Sequence, residues 1–199
     1  MGSLKLYNVL AVAFLMFSAC GNDSKLGNNS YSVIPEHFVD VNDGKFTKNQ
    51  ETIFFSGHLF SGYLVSINEH KDTLLKIGYL NGLLNGWTKK WYQNRRLMEL
   101  RFYTDGKKEG IHRGWWENGK PKFSYHFLND EFEGEVREWF VSGNLFRSFH
   151  YKNGHESGSQ KMYWDNGTIR ANYYIVNGEK FGLAGQKLCI NKNLNKDIK

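Results

Sequence analysis

Cysteine is almost missing from this chain of 199 residues, which holds two, Cys20 and Cys189. No Cys-x-x-Cys occurs, which excludes a redox pair, and a count this low builds no disulfide framework. No apolar run reaches the ~20 residues that a membrane-spanning helix needs. No glycine-free stretch has the length and period of a helix, so the chain reads as all-β. Gly-x-Ser-x-Gly, a phosphate loop and His-Glu-x-x-His are absent. The acids in "NDEFEGE", Asn129 to Glu135, crowd a turn, where solvated charge is expected, and do not pose two carboxylates across a cleft. The sequence therefore gives no catalytic residue, and the expectation is a protein that is not an enzyme and takes no cofactor.

Glycine, by contrast, is plentiful and ordered. Gly62, Gly86, Gly110, Gly134, Gly158 and Gly182 share one column with a period of 24 residues. Other columns keep step with them. Trp91-Tyr92, Trp115-Trp116, Trp139-Phe140 and Tyr163-Trp164 form an aromatic pair in each unit. Asn118-Gly119, Ser142-Gly143 and Asn166-Gly167 follow as turn signals, with Asn94-Arg95 as the defective copy. A second series, Asn81-Gly82, Asp105-Gly106, Asn129-Asp130, Asn153-Gly154 and Asn177-Gly178, closes each unit. Asn-Gly favours the type I′ turn, because both residues tolerate positive φ. Each unit thus reads as a β-hairpin, and the array as an extended antiparallel meander.

If every Asn-Gly is a two-residue turn, Tyr92 faces Leu97, Trp116 faces Pro121, Phe140 faces Leu145 and Trp164 faces Ile169. Period two then carries the same apolar face through Phe123, Tyr125, Phe127, Phe149 and Tyr151. The opposite face receives Trp91, Trp115, Trp139 and Tyr163, each with a cation two residues earlier: Lys89, Arg113, Arg137 and Lys161. That pairing depends only on strand period, not on turn length. These eight residues form the candidate ligand surface, a cation–aromatic column; the same pairs could instead stack on each other as an internal cation–π ladder. A single-layer sheet of this kind is expected to offer no deep pocket.

The ends carry different signals. Lys5 precedes the apolar run Leu10 to Phe17, with Ser18-Ala19 and Cys20 behind it, which reads as a lipoprotein signal peptide over 1–19. Cys20 is the expected lipidation site, 20–35 a flexible tether, 36–61 an N-terminal hairpin, 62–185 the repeats and 186–199 a polar tail. Two or more acyl chains on Cys20 anchor stably where a single chain is marginal. Net charge is +6, and without Lys5 the mature chain carries +5, which in an exported protein points to anionic lipid, acidic glycan or an acidic partner and away from nucleic acid. His126 and His150 share a column but lack a third ligand, so no metal site is expected. Cys189 is expected as a small buried residue.

The phrases "WWENGKPKFSYHFLNDEFEG" and "MYWDNGTIRANYYIVNGEKFG" resemble the MORN-repeat variant of bacterial YwqK-type proteins, over roughly residues 60–185. The resemblance implies a β-meander of hairpins with no catalytic residues, and for some members an antitoxin role. Combined with the signal and Cys20, it leads to the expectation of a non-catalytic, lipid-anchored protein of the bacterial cell envelope, outer membrane before inner. Its sheet would bind a protein or an envelope component. A glycan- or anionic-lipid-binding module and an antitoxin of an exported toxin are the alternatives.

Overall fold

The computed structural model describes residues 33–184. Those residues contain strands and turns and no helix. The chain enters through β1 (Phe38–Asp40), β2 (Phe46–Asn49), β3 (Thr52–Phe55) and β4 (His58–Leu59). The array follows as β5 (Gly62–Ile67), β6 (Thr73–Leu80), β7 (Leu83–Leu84), β8 (Gly86–Trp91) and β9 (Leu97–Thr104). It continues through β10 (Lys107–Lys108), β11 (Gly110–Trp115), β12 (Pro121–Leu128), β13 (Glu131–Phe132), β14 (Gly134–Trp139) and β15 (Leu145–Lys152). It closes with β16 (His155–Tyr163), β17 (Ile169–Val176) and β18 (Glu179–Leu183).

All but β2, β3 and β4 join one sheet of 15 strands, in which sequence neighbours pair antiparallel as a hairpin repeat requires. The N-terminal segment departs from the expected simple hairpin. β2 and β3 do form one, but β1 pairs parallel with β5, Phe38 against Tyr63, so the sheet is mixed. The first repeat has no preceding unit to pair with, and β1 covers its open edge, as a repeat array requires at its end. Val39, Ile53 and Phe60 bury there against Leu64 and Tyr79 and make a small core.

The two turn series differ, and only one was anticipated. Asn153-Gly154 adopts φ of +50° and +74°, and Asn81-Gly82, Asp105-Gly106, Asn129-Asp130 and Asn177-Gly178 behave alike, as two-residue turns should. In the first series the loop is longer. The Gly119 amide donates to the Trp116 carbonyl and the Trp116 amide to the Lys120 carbonyl, both at 2.8 Å, and of Asn118 and Gly119 only the glycine has positive φ. That is a type I turn with a glycine bulge, in which Asn118 serves through its side chain, accepting from the Lys120 amide at 3.0 Å. The pairs across the hairpin are therefore Trp91–Leu97, Trp115–Pro121, Trp139–Leu145 and Tyr163–Ile169, one residue off the expectation.

Gly86, Gly110 and Gly134 mark a bulge between each two-residue strand and the strand that follows it, and Gly158 sits at a register shift inside β16, whereas Gly182 lies in unbroken register with β17. At Gly134 φ is +73°, while a Cβ would meet nothing closer than 3.5 Å, so backbone conformation and not space demands glycine there. Two residues beyond Gly86, Gly110, Gly134 and Gly158 lies a buried column that sequence reading missed: Thr88, His112, Val136 and Gln160. His112 Nε2 lies 2.8 Å from the Phe102 carbonyl, and Gln160 Nε2 donates at 2.7 Å to the His150 carbonyl, the equivalent oxygen two repeats on. The expected apolar face is present: Phe123, Phe127 and Phe149 are buried on it, with Tyr125 and Tyr151 beside them.

Candidate functional site

Cross-strand register places the four sequence-chosen cations in a single line. Reading across the sheet, Val65, Lys76, Lys89, Leu100, Arg113, Ser124, Arg137, Ser148, Lys161, Asn172 and Leu183 lie opposite one another in turn, over eleven strands. Directly opposed residues share a face, so Lys89, Arg113, Arg137 and Lys161 all stand on the face opposite the buried aromatics, two strands apart each time. That spacing is about 9.5–10 Å. Lys76 extends the line beyond what the repeat columns had shown. It sits directly opposite Lys89, an unfavourable pairing of like charges, with its ammonium 4.0 Å from the centre of the Tyr63 ring and 5.0 Å from that of Phe38. Arg113, Arg137 and Lys161 are exposed, and Lys89 is half-buried.

One acid meets this row. Glu135, two residues before Arg137 on β14, receives the Arg137 guanidinium in a fork, Nε to Oε1 and Nη2 to Oε2, both at 2.7 Å. The Ser148 hydroxyl donates to the same Oε1 at 2.8 Å. Partial burial acts to raise the Glu135 pKa, but Ser148 and Arg137 outweigh it and hold the carboxyl below its ordinary range. At the equivalent position before Arg113 stands Ile111.

The aromatic half of the predicted column is placed less simply. Trp91, Trp115, Trp139 and Tyr163 each fall at a register shift beside the bulged turn and are half-buried. Among the described residues, the cation–π contacts join other partners, such as Lys122 over Trp116 and Arg170 over Trp164, both at 4.6 Å. The predicted pairs do not appear among them. Three of the eight predicted residues do converge: Arg113, Trp115 and Trp139, with Ser124 and Pro121, line a shallow hollow of about 200 Å³. The repeats are tied at this end by side chains. Tyr92 donates its hydroxyl to the Trp115 carbonyl at 2.9 Å, and Trp116 its Nε1 to the Trp139 carbonyl at 3.1 Å.

Next to this shallow hollow, and sharing Phe123 and Trp139 with it, lies what sequence reading had ruled out, a concavity of about 680 Å³. Trp116, Phe140, Phe146 and Trp139 wall it, and Tyr125 and Glu138 lie at its floor. Glu138 Oε1 accepts from the Tyr125 hydroxyl at 2.6 Å and from Arg147 Nη2 at 2.5 Å. Burial first, then Glu138, pushes the Tyr125 pKa far above its usual value, so the hydroxyl stays a donor. Beside this floor Gly114 admits the Phe123 ring, whose Cε1 would lie 2.1 Å from an added Cβ. The signal for this concavity was the second aromatic of each pair, which the sequence placed on the apolar face, and the expectation that a single-layer sheet offers no deep pocket set it aside.

His126 and His150 are exposed, and among the described residues no group of three or more His, Cys, Asp or Glu could hold a metal ion. Among those residues no helix is long and apolar enough to cross a membrane. Cys20 and Cys189, and with them the lipidation site and the lone thiol, lie outside the described residues. No protein-family model matches the chain, and no curated protein does either.

Proposed function

We propose that this chain is a non-catalytic, lipid-anchored repeat protein of the bacterial cell envelope, and that its exposed basic face is a docking surface for an anionic envelope component. The cation row carries the proposal. Five basic side chains, Lys76, Lys89, Arg113, Arg137 and Lys161, stand in line over eight strands, and Lys76 and Lys89 are directly opposed like charges that repel. Such a row is favourable when an anion lies along it. The resemblance to the MORN-repeat variant supports the same conclusion, since it brings a binding scaffold and no catalytic residues. Cys20, behind its apolar run, supplies the anchor and places the sheet outside the cytoplasm.

The test uses delipidated envelope material and the detergent-solubilised full chain. Retention at low salt that falls as ionic strength rises, and is lost when Lys89, Arg113, Arg137 and Lys161 are all changed to Gln, is the expected result. Equal retention of the neutralised variant overturns the proposal.

A further inference from the structure

Resting on the basic face as the docking surface, we infer that its ligand is a linear acidic glycan with one carboxylate for every two sugars, laid across the strands along Lys89, Arg113, Arg137 and Lys161. The row's spacing of about 9.5–10 Å is too wide for dense polyanions. A nucleic-acid strand carries a charge about every 3.4 Å, so about two of every three phosphates would find no cation. Two extended sugar units cover the gap instead. Between the cations stand Leu100, Ser124 and Ser148, and beyond Lys161 Asn172; the two serines and the asparagine are neutral groups able to hydrogen-bond sugar hydroxyls. A planar anionic bilayer fits poorly too. Sheets twist by about 20–25° per strand, so a row that crosses seven strands leaves any one plane, whereas a chain can follow it.

Two further features name the carboxylate and the sugar. Arg137 already holds a carboxylate, that of Glu135, in a bidentate fork with both contacts at 2.7 Å. Planar forks of this kind match carboxylate and phosphate geometry, which an ammonium does not, and the row's wide spacing then favours the sparser carboxylate over a phosphate backbone. Arg113, one step along the row, has Ile111 where Arg137 has Glu135, and no acid bridges to it among the described residues. Beside it lies the hollow walled by Trp115 and Trp139, whose faces suit the apolar side of a pyranose ring. Glu135 is thus a resident competitor at one step of the row, and the neighbouring step is open.

The experiment measures binding of the solubilised full chain to a size-graded series of oligosaccharides alternating a uronic acid with a neutral amino sugar. Affinity is expected to climb with length until the chain spans the row, three intervals or about 30 Å, and then to level off. Arg113→Gln is expected to weaken the longest oligomer and to lower the slope of log K against log salt by about 1. Glu135→Gln, which frees Arg137, is expected to tighten it. Equal affinity for disaccharide and long chain overturns the inference, as does tighter binding to a single-stranded oligonucleotide or to anionic-lipid vesicles. If row-dependent retention on envelope material survives such an outcome, only the ligand class is wrong; if that retention is also missing, the docking face itself is wrong.

Discussion

His112 is fully buried, and its replacement reports on the column that sequence reading missed. Its Nε2 meets the Phe102 carbonyl at 2.8 Å, an oxygen that also accepts from the Glu109 amide at 3.0 Å. Losing the imidazole therefore does not orphan that carbonyl. His112→Ala removes one hydrogen bond, worth about 1 kcal/mol net, and leaves a hole costing about 2 kcal/mol more. For a chain of this size, that total of about 3 kcal/mol lowers Tm by about 6–12 °C. His112→Gln copies Gln160, which makes the equivalent bond to the His150 carbonyl, and should cost less than about 1 kcal/mol. The two also differ in acid. Burial is the main force holding the His112 pKa below its ordinary 6.5, so the unfolded chain binds a proton that the folded one refuses. This contribution to stability is complete above pH 6.5 and is lost as pH falls from 6.5 towards the depressed value. Thermal unfolding from pH 8 to pH 5 should show a decline in wild type that His112→Gln flattens. A glutamine variant as damaged as the alanine one, or an acid decline that survives it, refutes the reasoning.

Gly134→Ala, at φ +73° with room for a Cβ, should cost about 1–2 kcal/mol through the backbone alone, as chemical denaturation would show. Arg95→Gly should have the opposite sign, gaining about 1 kcal/mol by the same measurement, because Arg95 occupies the bulged-turn position at φ +67° and its own end of the ion pair with Asp72 is mostly exposed. Glu138→Gln should lose about 1.5–3 kcal/mol of stability, since it strips the charge that the partly buried Arg147 leans on. Cys20→Ser should release the protein from carbonate-washed membranes with the repeats still folded, while the intact mass of the wild type should carry the lipid on Cys20. Loss of membrane association without a lipid on the wild-type mass would end the lipoprotein proposal.

The strand period was legible because it depends on one residue's relation to the next but one. That is why Lys89, Arg113, Arg137 and Lys161 fell on one face as expected, whatever the turns did. Turn length was not legible in the same way. Asn118-Gly119 and Asn153-Gly154 read alike, yet only the second has both residues at positive φ. The difference lies in the residues around the turn, where the Asn118 side chain caps the Lys120 amide and competes with the tighter loop. One residue of extra loop moved Trp115 opposite Pro121 and left Trp116 in the loop, where it builds a wall with Phe140. The buried column was hidden for another reason. Thr88, His112, Val136 and Gln160 share no chemistry, so no pattern of hydrophobicity marks them; their common cause is the bulge at the preceding glycine. The parallel pairing of β1 with β5 is a long-range contact that no local signal announces.

Lysine footprinting with a ligand present tests the basic face most directly, because Lys89 and Lys90 are chain neighbours on opposite faces of β8. Lys89 stands in the row opposite Leu100, and Lys90 pairs across to Glu99. Acetylation of the folded protein, read residue by residue by mass spectrometry, should slow at Lys89 and Lys161 when an acidic oligosaccharide is bound. It should be unchanged at Lys90, Lys108 and Lys180. Protection spread evenly over all five, or confined to Lys90, Lys108 and Lys180, contradicts the account.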